Sequence, residues 1–214
     1  MVFFPEKSEY NVYDLVKLVE ILRSPEGCPW DREQTHASHR RDTLEEAYEV
    51  AGAIDEQDSE HLKEELGDLL MAIILHTQIE REQGRFDIDA VADNTVRKLI
   101  YRHPHVFGEV KAESAEDAFL SWNKQKEKER NEETLADTLG NVPKSLPALW
   151  RAEKMVSKIK KSGAELDIDE SKDVEEMIGN GLLKAVKTAY EHGIDPECAL
   201  HNVCERIIAK YKHI

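Results

Sequence analysis

The chain has 214 residues, 40% of them hydrophobic and 34% charged, with a formal net charge of -15 at pH 7. This supplies one large or two small globular domains, while the negative balance disfavours general binding to a nucleic-acid backbone, which needs a basic footprint. No apolar run approaches the roughly 20 residues of a membrane-spanning helix, and Met1-Val2-Phe3-Phe4-Pro5-Glu6 lacks the n- and h-regions of a signal peptide, so the expected location is cytoplasmic with no membrane partner.

The predicted elements are almost all helices. A first helix runs from about Asn11 to Arg23 with Val12, Leu15, Val16, Leu18, Val19 and Leu22 on its inner side, and Ser24-Pro25-Glu26-Gly27 ends it. A loop at Cys28-Pro29-Trp30-Asp31 leads to a helix hairpin. Its first arm carries Ala47, Val50, Ala51 and Ile54, a polar break covers Asp55 to Ser59, and its second arm carries the stripe Leu62, Leu66, Leu69, Leu70, Ile73, Ile74. Leu66, Leu69, Leu70 and Ile73 are expected in the core, and Gly84 is the expected C-cap. A further helix, about Asp89 to Tyr101, stops at Arg102-His103-Pro104, and after a loop around Gly108 another starts near Ala115 and holds Phe119 and Trp122. The charged run Lys124 to Arg130 and the polar residues to Asn141 mark a boundary: a domain over 1–130, a linker over 131–144 and a helical remainder over 145–214. No segment shows convincing strand alternation, so the expected class is an all-α helical bundle. Cys28, Cys198 and Cys204 are odd in number without Cys-x-x-Cys spacing, and are read as reduced bystanders rather than a disulfide framework or zinc site.

Chemistry concentrates in the hairpin. Glu45-Glu46-Ala47-Tyr48-Glu49 lies on its first arm and Glu65-Leu66-Gly67-Asp68 on its second. Residues three apart share a helix face, so Glu46 with Glu49 and Glu65 with Asp68 form two carboxylate pairs that antiparallel packing would turn toward one centre. Hard oxygen ligands with room for water suit Mg²⁺, or Mn²⁺ in its place, and such ions usually act on phosphates. The competing reading is a solvated acidic face, since Glu-Glu pairs recur at Glu64-Glu65, Glu132-Glu133 and Glu175-Glu176. A position at the edge of a buried stripe makes decoration the more costly explanation. Lys98 and Arg102, one turn apart on a helix expected to pack on the hairpin, are candidates for the phosphates of a nucleotide or for surface ion pairs. Trp30 and Trp122 are candidates for stacking on a base, against core packing. For His36, His103 and His105 structural hydrogen bonding is the better reading than metal ligation.

The remainder holds a faded copy of the first half. Aligning Asn94 with Asn202 sets Lys98-Leu99-Ile100-Tyr101-Arg102 over Arg206-Ile207-Ile208-Ala209-Lys210, and Leu69-Leu70 resembles Leu182-Leu183. No acidic tetrad can be rebuilt there: Glu176 to Gly181 stands in place of the second acidic word, and the basic Val156 to Lys161 in place of the first. The leftover pair Asp173 and Glu176 reads as a solvated face, and the second half as a degenerate repeat without a metal site.

Taken together, Gly27-Cys28-Pro29-Trp30-Asp31 with Gln34-Thr35-His36, the two acidic words, and Lys98 through Arg102-His103-Pro104-His105-Val106-Phe107-Gly108 resemble the MazG family of nucleoside triphosphate pyrophosphohydrolases, over roughly residues 10 to 130. The resemblance implies the all-α NTP pyrophosphatase fold, with Glu46, Glu49, Glu65 and Asp68 as Mg²⁺ ligands, Lys98 and Arg102 as triphosphate-contacting cations, and Trp122 near the nucleotide. It further implies hydrolysis between the α and β phosphates in nucleotide-pool housekeeping, and a homodimer or higher even oligomer. Glu45, rotated about a third of a turn from Glu46, is assigned to orienting water or the ligand shell. Full-length MazG proteins are similar in carrying two such domains in tandem, in some of which the second is active; here the loss of the second set of acids places catalysis in the first. The alternatives are a base-selective dUTPase- or dCTPase-like hydrolase, and a helical regulatory module that binds nucleotide without turnover.

Overall fold

Polar caps fix where most helices of this chain begin. A computed structural model describes residues 3–130, 133–168 and 170–212, and among these every regular element is a helix, as the all-α reading expects. The chain divides into two compact units, Met1–Tyr101 and Arg102–Ile214.

In the first unit α1 (Val12–Arg23) opens on a capping box in which Asn11 accepts from the Asp14 backbone and the Asp14 side chain returns the bond. The expected loop at 28–31 is instead the start of a short helix, α2 (Pro29–Glu33), because Pro29 is preset for a first helical turn and the Cys28 carbonyl accepts the Arg32 N–H at 3.1 Å. Gly27 allows the sharp approach from α1: a Cβ there would stand 2.1 Å from the Ile21 carbonyl oxygen. The hairpin is α3 (Arg40–Glu56) and α4 (Ser59–Glu82), packed side by side. Its turn is only Gln57 and Asp58, shorter than the expected break. Gln57 adopts a left-handed conformation at φ 58, and the Asp58 side chain accepts from the N–H groups of Glu60 and His61. Gly84, at φ 67, follows α4 as expected, and α5 (Ile88–Arg102) begins where the Asp87 side chain caps Ala90.

The core of this unit is Val19 of α1 with Ile74, Leu75 and Ile79 of α4, flanked by Leu15, Val16, Leu70, Met71 and Ile88. It sits at the C-terminal half of α4, where α1 covers that helix. Leu66, in the N-terminal half of α4, and Ile73, next to Ile74 but turned about 100° from it around the helix, are expected in the core and are 49% and 39% exposed. The expected packing of α5 on the hairpin is likewise corrected: α5 has no fully buried residue, only Ile88 at its start reaches the core, and Val96, Leu99, Ile100 and Tyr101 are exposed. Arg23, nearly buried, forks onto Glu82 with bonds of 2.9 and 2.8 Å and donates to the carbonyls of Asp31 and Gln34 at 2.6 and 3.1 Å. One guanidinium thus joins α1, the C-terminus of α4 and the segment around α2.

The second unit comprises α6 (Pro104–Phe107), α7 (Ala115–Glu129), α8 (Leu135–Gly140), α9 (Ala148–Lys161), α10 (Val174–Glu191) and α11 (Pro196–Tyr211). Capping boxes start α7 at Ser114 with Asp117 and α8 at Thr134 with Asp137. The span 131–144, read as a linker, therefore carries a capped helix; its first two residues lie outside those described. Helix α9 packs against α8, α10 and α11, with Val142, Val156, Ile159 and Val186 buried. Asp173 and Glu176 are both exposed, as the solvated-face reading expects, and they also brace the start of α10. Asp173 caps α10 by accepting the Glu176 N–H at 3.0 Å, and Glu176 accepts from the Ser171 hydroxyl at 2.6 Å.

Candidate active site

Helix spacing sets Glu46 beside Glu49 on α3 and Glu65 beside Asp68 on α4, and the tight turn folds the two faces together. One carboxylate oxygen from each of Glu46, Glu49 and Glu65 falls within 4.8 Å of the others, close enough for a single cation to bind all three. Asp68 stands outside that tight group, yet its charge acts on Glu46. Burial, and then the charges of Asp68, Glu49 and Glu65, push the Glu46 carboxyl above its ordinary value, with a hydrogen bond to Glu49 adding to the shift. Like charges held this close repel, and a divalent cation is the ligand that turns the repulsion into attraction. The donor set, all carboxylate oxygen on two braced helices, fits a hard ion.

Glu49 and Glu65 open onto a shallow groove of about 610 Å³ that also meets Glu45, Arg41, Tyr48 and His61. His61 is a neighbour the sequence reading missed. Its Nδ1 lies 2.9 Å from Glu56 and its Nε2 2.9 Å from Glu65, and the hydrogen bond it donates to Glu56, with both acidic charges, raises its pKa. Its position four residues before Glu65 on one helix was the available signal.

The basic candidates are placed differently from one another. Lys98 is half-buried on α5. Arg102 pairs with Glu129 at 2.7 Å and lies over the Trp122 ring, 5.3 Å from its centroid. Lys126, one turn beyond Trp122 and unmarked in the sequence reading, lies over the same ring at 4.8 Å. Burial first, and then the charges of Arg130, Arg102, Lys158 and Lys154, lower the Lys126 pKa. This concentration of cations around one indole inside an acidic protein suits an anion that also carries an aromatic ring. Trp30, at 63% exposure, is not a core residue. Of the histidines read as hydrogen-bonded, His36 meets both His76 and Glu80, whereas the buried Nδ1 of His105 has no hydrogen-bond partner among the described residues.

The profile of the MazG nucleotide pyrophosphohydrolase domain matches residues 34–107, the span that holds all four paired carboxylates, Lys98 and Arg102. The chain is 35% identical over 217 residues to the nucleoside triphosphate pyrophosphohydrolase/pyrophosphatase MazG of Thermotoga maritima, covering 93% of this chain and 83% of that protein. It is 34% identical over 225 residues to the nucleoside triphosphate pyrophosphohydrolase of Escherichia coli, covering 94% and 85% respectively. A third relative, the uncharacterized protein YabN of Bacillus subtilis, is 43% identical over 153 residues, which span 70% of this chain but only 31% of YabN. The domain match and these relatives define the class as nucleotide pyrophosphohydrolases. Within it, the chain belongs to the MazG nucleotide pyrophosphohydrolase family.

Proposed function

We propose that this protein hydrolyses nucleoside triphosphates between the α and β phosphates, releasing a nucleoside monophosphate and pyrophosphate; its T. maritima and E. coli relatives carry the name nucleoside triphosphate pyrophosphohydrolase. The observation that carries the reading is the convergence of Glu46, Glu49 and Glu65, with the Glu46 carboxyl raised by its acidic neighbours. Glu46, Glu49, Glu65 and Asp68 hold Mg²⁺, with Mn²⁺ an acceptable substitute. The bound ion supplies Lewis acidity to the attacking water and charge neutralisation to the departing pyrophosphate. Four acids exceed the needs of one such ion, which favours more than one per site. Glu45, on the rim of the groove, orients water. Lys98 and Arg102 neutralise substrate phosphates, with Lys126 as a further cation, and Trp122 and Trp30 stack on the base.

Residues 1–130 form the catalytic domain in this account and 145–214 a degenerate repeat that contributes stability or assembly. Exposed apolar side chains on α4 and α5, including Leu66, Leu99 and Ile100, favour a homodimer or higher even oligomer. No helix among the described residues is long and apolar enough to cross a membrane, and a cytoplasmic enzyme acting on the nucleotide pool, without a nucleic-acid partner, fits the acidic composition. The test is a panel of the eight common nucleoside triphosphates with Mg²⁺ and chromatographic identification of products. Monophosphate and pyrophosphate from several bases support the reading, turnover of one base alone narrows it to a selective hydrolase, and no turnover of any overturns it.

A further inference from the structure

Away from the carboxylates, a second polar cluster joins α4 to the segment that leads into α3, and its hydrogen bonds define where its protons lie. The Thr43 hydroxyl donates to the His39 carbonyl at 2.9 Å, which uses its only proton. The contact of 2.9 Å between Thr43 Oγ1 and His76 Nε2 therefore needs the proton on His76. Burial, then the neighbouring His36 and His39, lower the His76 pKa and favour its neutral form, so its Nδ1 is a bare lone pair. That lone pair faces His36 Nδ1 at 2.8 Å, a separation at which two bare nitrogens would repel, so His36 Nδ1 donates. At the other side of the ring, His36 Nε2 is 2.5 Å from Oε1 of Glu80. Glu80 is buried, and hydrogen bonds from Arg85 first and His36 next hold its pKa down to about 2, so it is an acceptor and His36 Nε2 donates as well.

We propose that His36, carrying both ring protons and clamped between Glu80 and His76, is a positioning residue for the carboxylate hairpin: it fastens the segment before α3 to α4, and His76 extends the fastening to Thr43, one turn ahead of Glu46. The inference rests on the assignment of Glu46 and its neighbours as the metal site, though its readouts do not. Three other groups face the cluster. His39, buried, presents its edge to His76 at 5.6 Å between ring centroids, with its Nδ1 2.9 Å from Asp42, and Arg85 lies on Glu80 from beyond α4. The charged groups of α1 that meet α4 are satisfied among themselves, Arg23 with Glu82 and Glu20 with Arg81.

The test uses the full-length protein without substrate. Long-range ¹H–¹⁵N spectra of the imidazoles at neutral pH should show both His36 nitrogens protonated and His76 with its proton on Nε2. Hydrogen exchange, corrected for intrinsic rates, should show the amides from Arg41 to Glu46 protected in the wild type and about tenfold less protected in His36→Gln with helical circular dichroism preserved, the effect of losing a charged hydrogen bond; unchanged protection in the variant overturns the clamp. A neutral His36, or a charged His76, overturns the proposal. So does stoichiometric zinc in the purified protein, removed by chelation together with the protection, since a metal rather than a proton would then join the two Nδ1 atoms. Because none of these readouts involves turnover, they separate failure of the clamp from failure of the hydrolase assignment.

Discussion

Replacing Glu46 by Gln should make the metal-free protein more stable and the metal-loaded protein less so. The three carboxylates approach within 4.8 Å, where two unit charges in a water-like medium repel by roughly 1 kcal/mol per pair. Glu46 takes part in two such pairs, and screening at physiological salt about halves their sum, which leaves about 1 kcal/mol relieved by the neutral amide. For a chain of 214 residues this corresponds to a rise in Tm of roughly 2–4 °C in EDTA. With Mg²⁺ at about 100 times its Kd the wild type gains about 2.7 kcal/mol, while the variant, lacking a ligand, gains much less, so the order of the two melting curves reverses. Differential scanning calorimetry in EDTA and in Mg²⁺ reads both arms. A variant destabilised in EDTA, or one with the full Mg²⁺-dependent rise, would show that Glu46 is neither repelled by its neighbours nor a ligand.

Arg23→Leu should cost about 3 kcal/mol, because it removes the nearly buried guanidinium that pairs with Glu82 and ties it to the carbonyls of Asp31 and Gln34, and urea unfolding should show the loss as a lower midpoint at unchanged m. Two groups make acid stability steep. Glu80, held at about 2 in the folded chain against 4.5 unfolded, contributes stability above pH 4.5 that disappears as pH falls toward 2; His76, lowered from 6.5, contributes above pH 6.5 and loses it as pH falls through its folded value. Thermal melts from pH 7 to 3 should therefore drop steadily in the wild type, and Glu80→Gln should flatten the lower part of that limb. Light scattering should give at least twice the mass of one chain, and Ile100→Asp on the exposed face of α5 should lower it toward a monomer; a fully active monomeric wild type would contradict the assembly.

Periodicity and caps made the helices legible: the hairpin, the stop at Gly84 and the all-helical class follow from i, i+3 and i+4 spacing. The short helices α2, α6 and α8 were not legible as helices, because four to six residues carry no periodicity and only Pro29, Pro104 and the Thr134 capping box announce them. Burial on α4 was misread for a related reason. A stripe of leucines shows which face is apolar, but not which neighbour covers it, and α1 covers only the half around Ile74 to Ile79. The acidic site was legible as two pairs on two helices; the separation of Asp68 from the tight group of three depends on side-chain directions that spacing does not give. His61 and Lys126 carried a signal at four-residue spacing from Glu65 and Trp122, overlooked amid the many charges. The His36, His76 and Thr43 chain has no local signature at all, since its members lie 33 and 40 residues apart.

The most direct measurement is a ³¹P NMR time course of ATP with Mg²⁺ and the purified protein. The account predicts that AMP and pyrophosphate resonances grow in equal amounts without ADP or orthophosphate, and that Glu49→Ala, with unchanged circular dichroism, abolishes both. Accumulation of ADP and orthophosphate, or wild-type rates from Glu49→Ala, would contradict pyrophosphohydrolysis at this carboxylate centre.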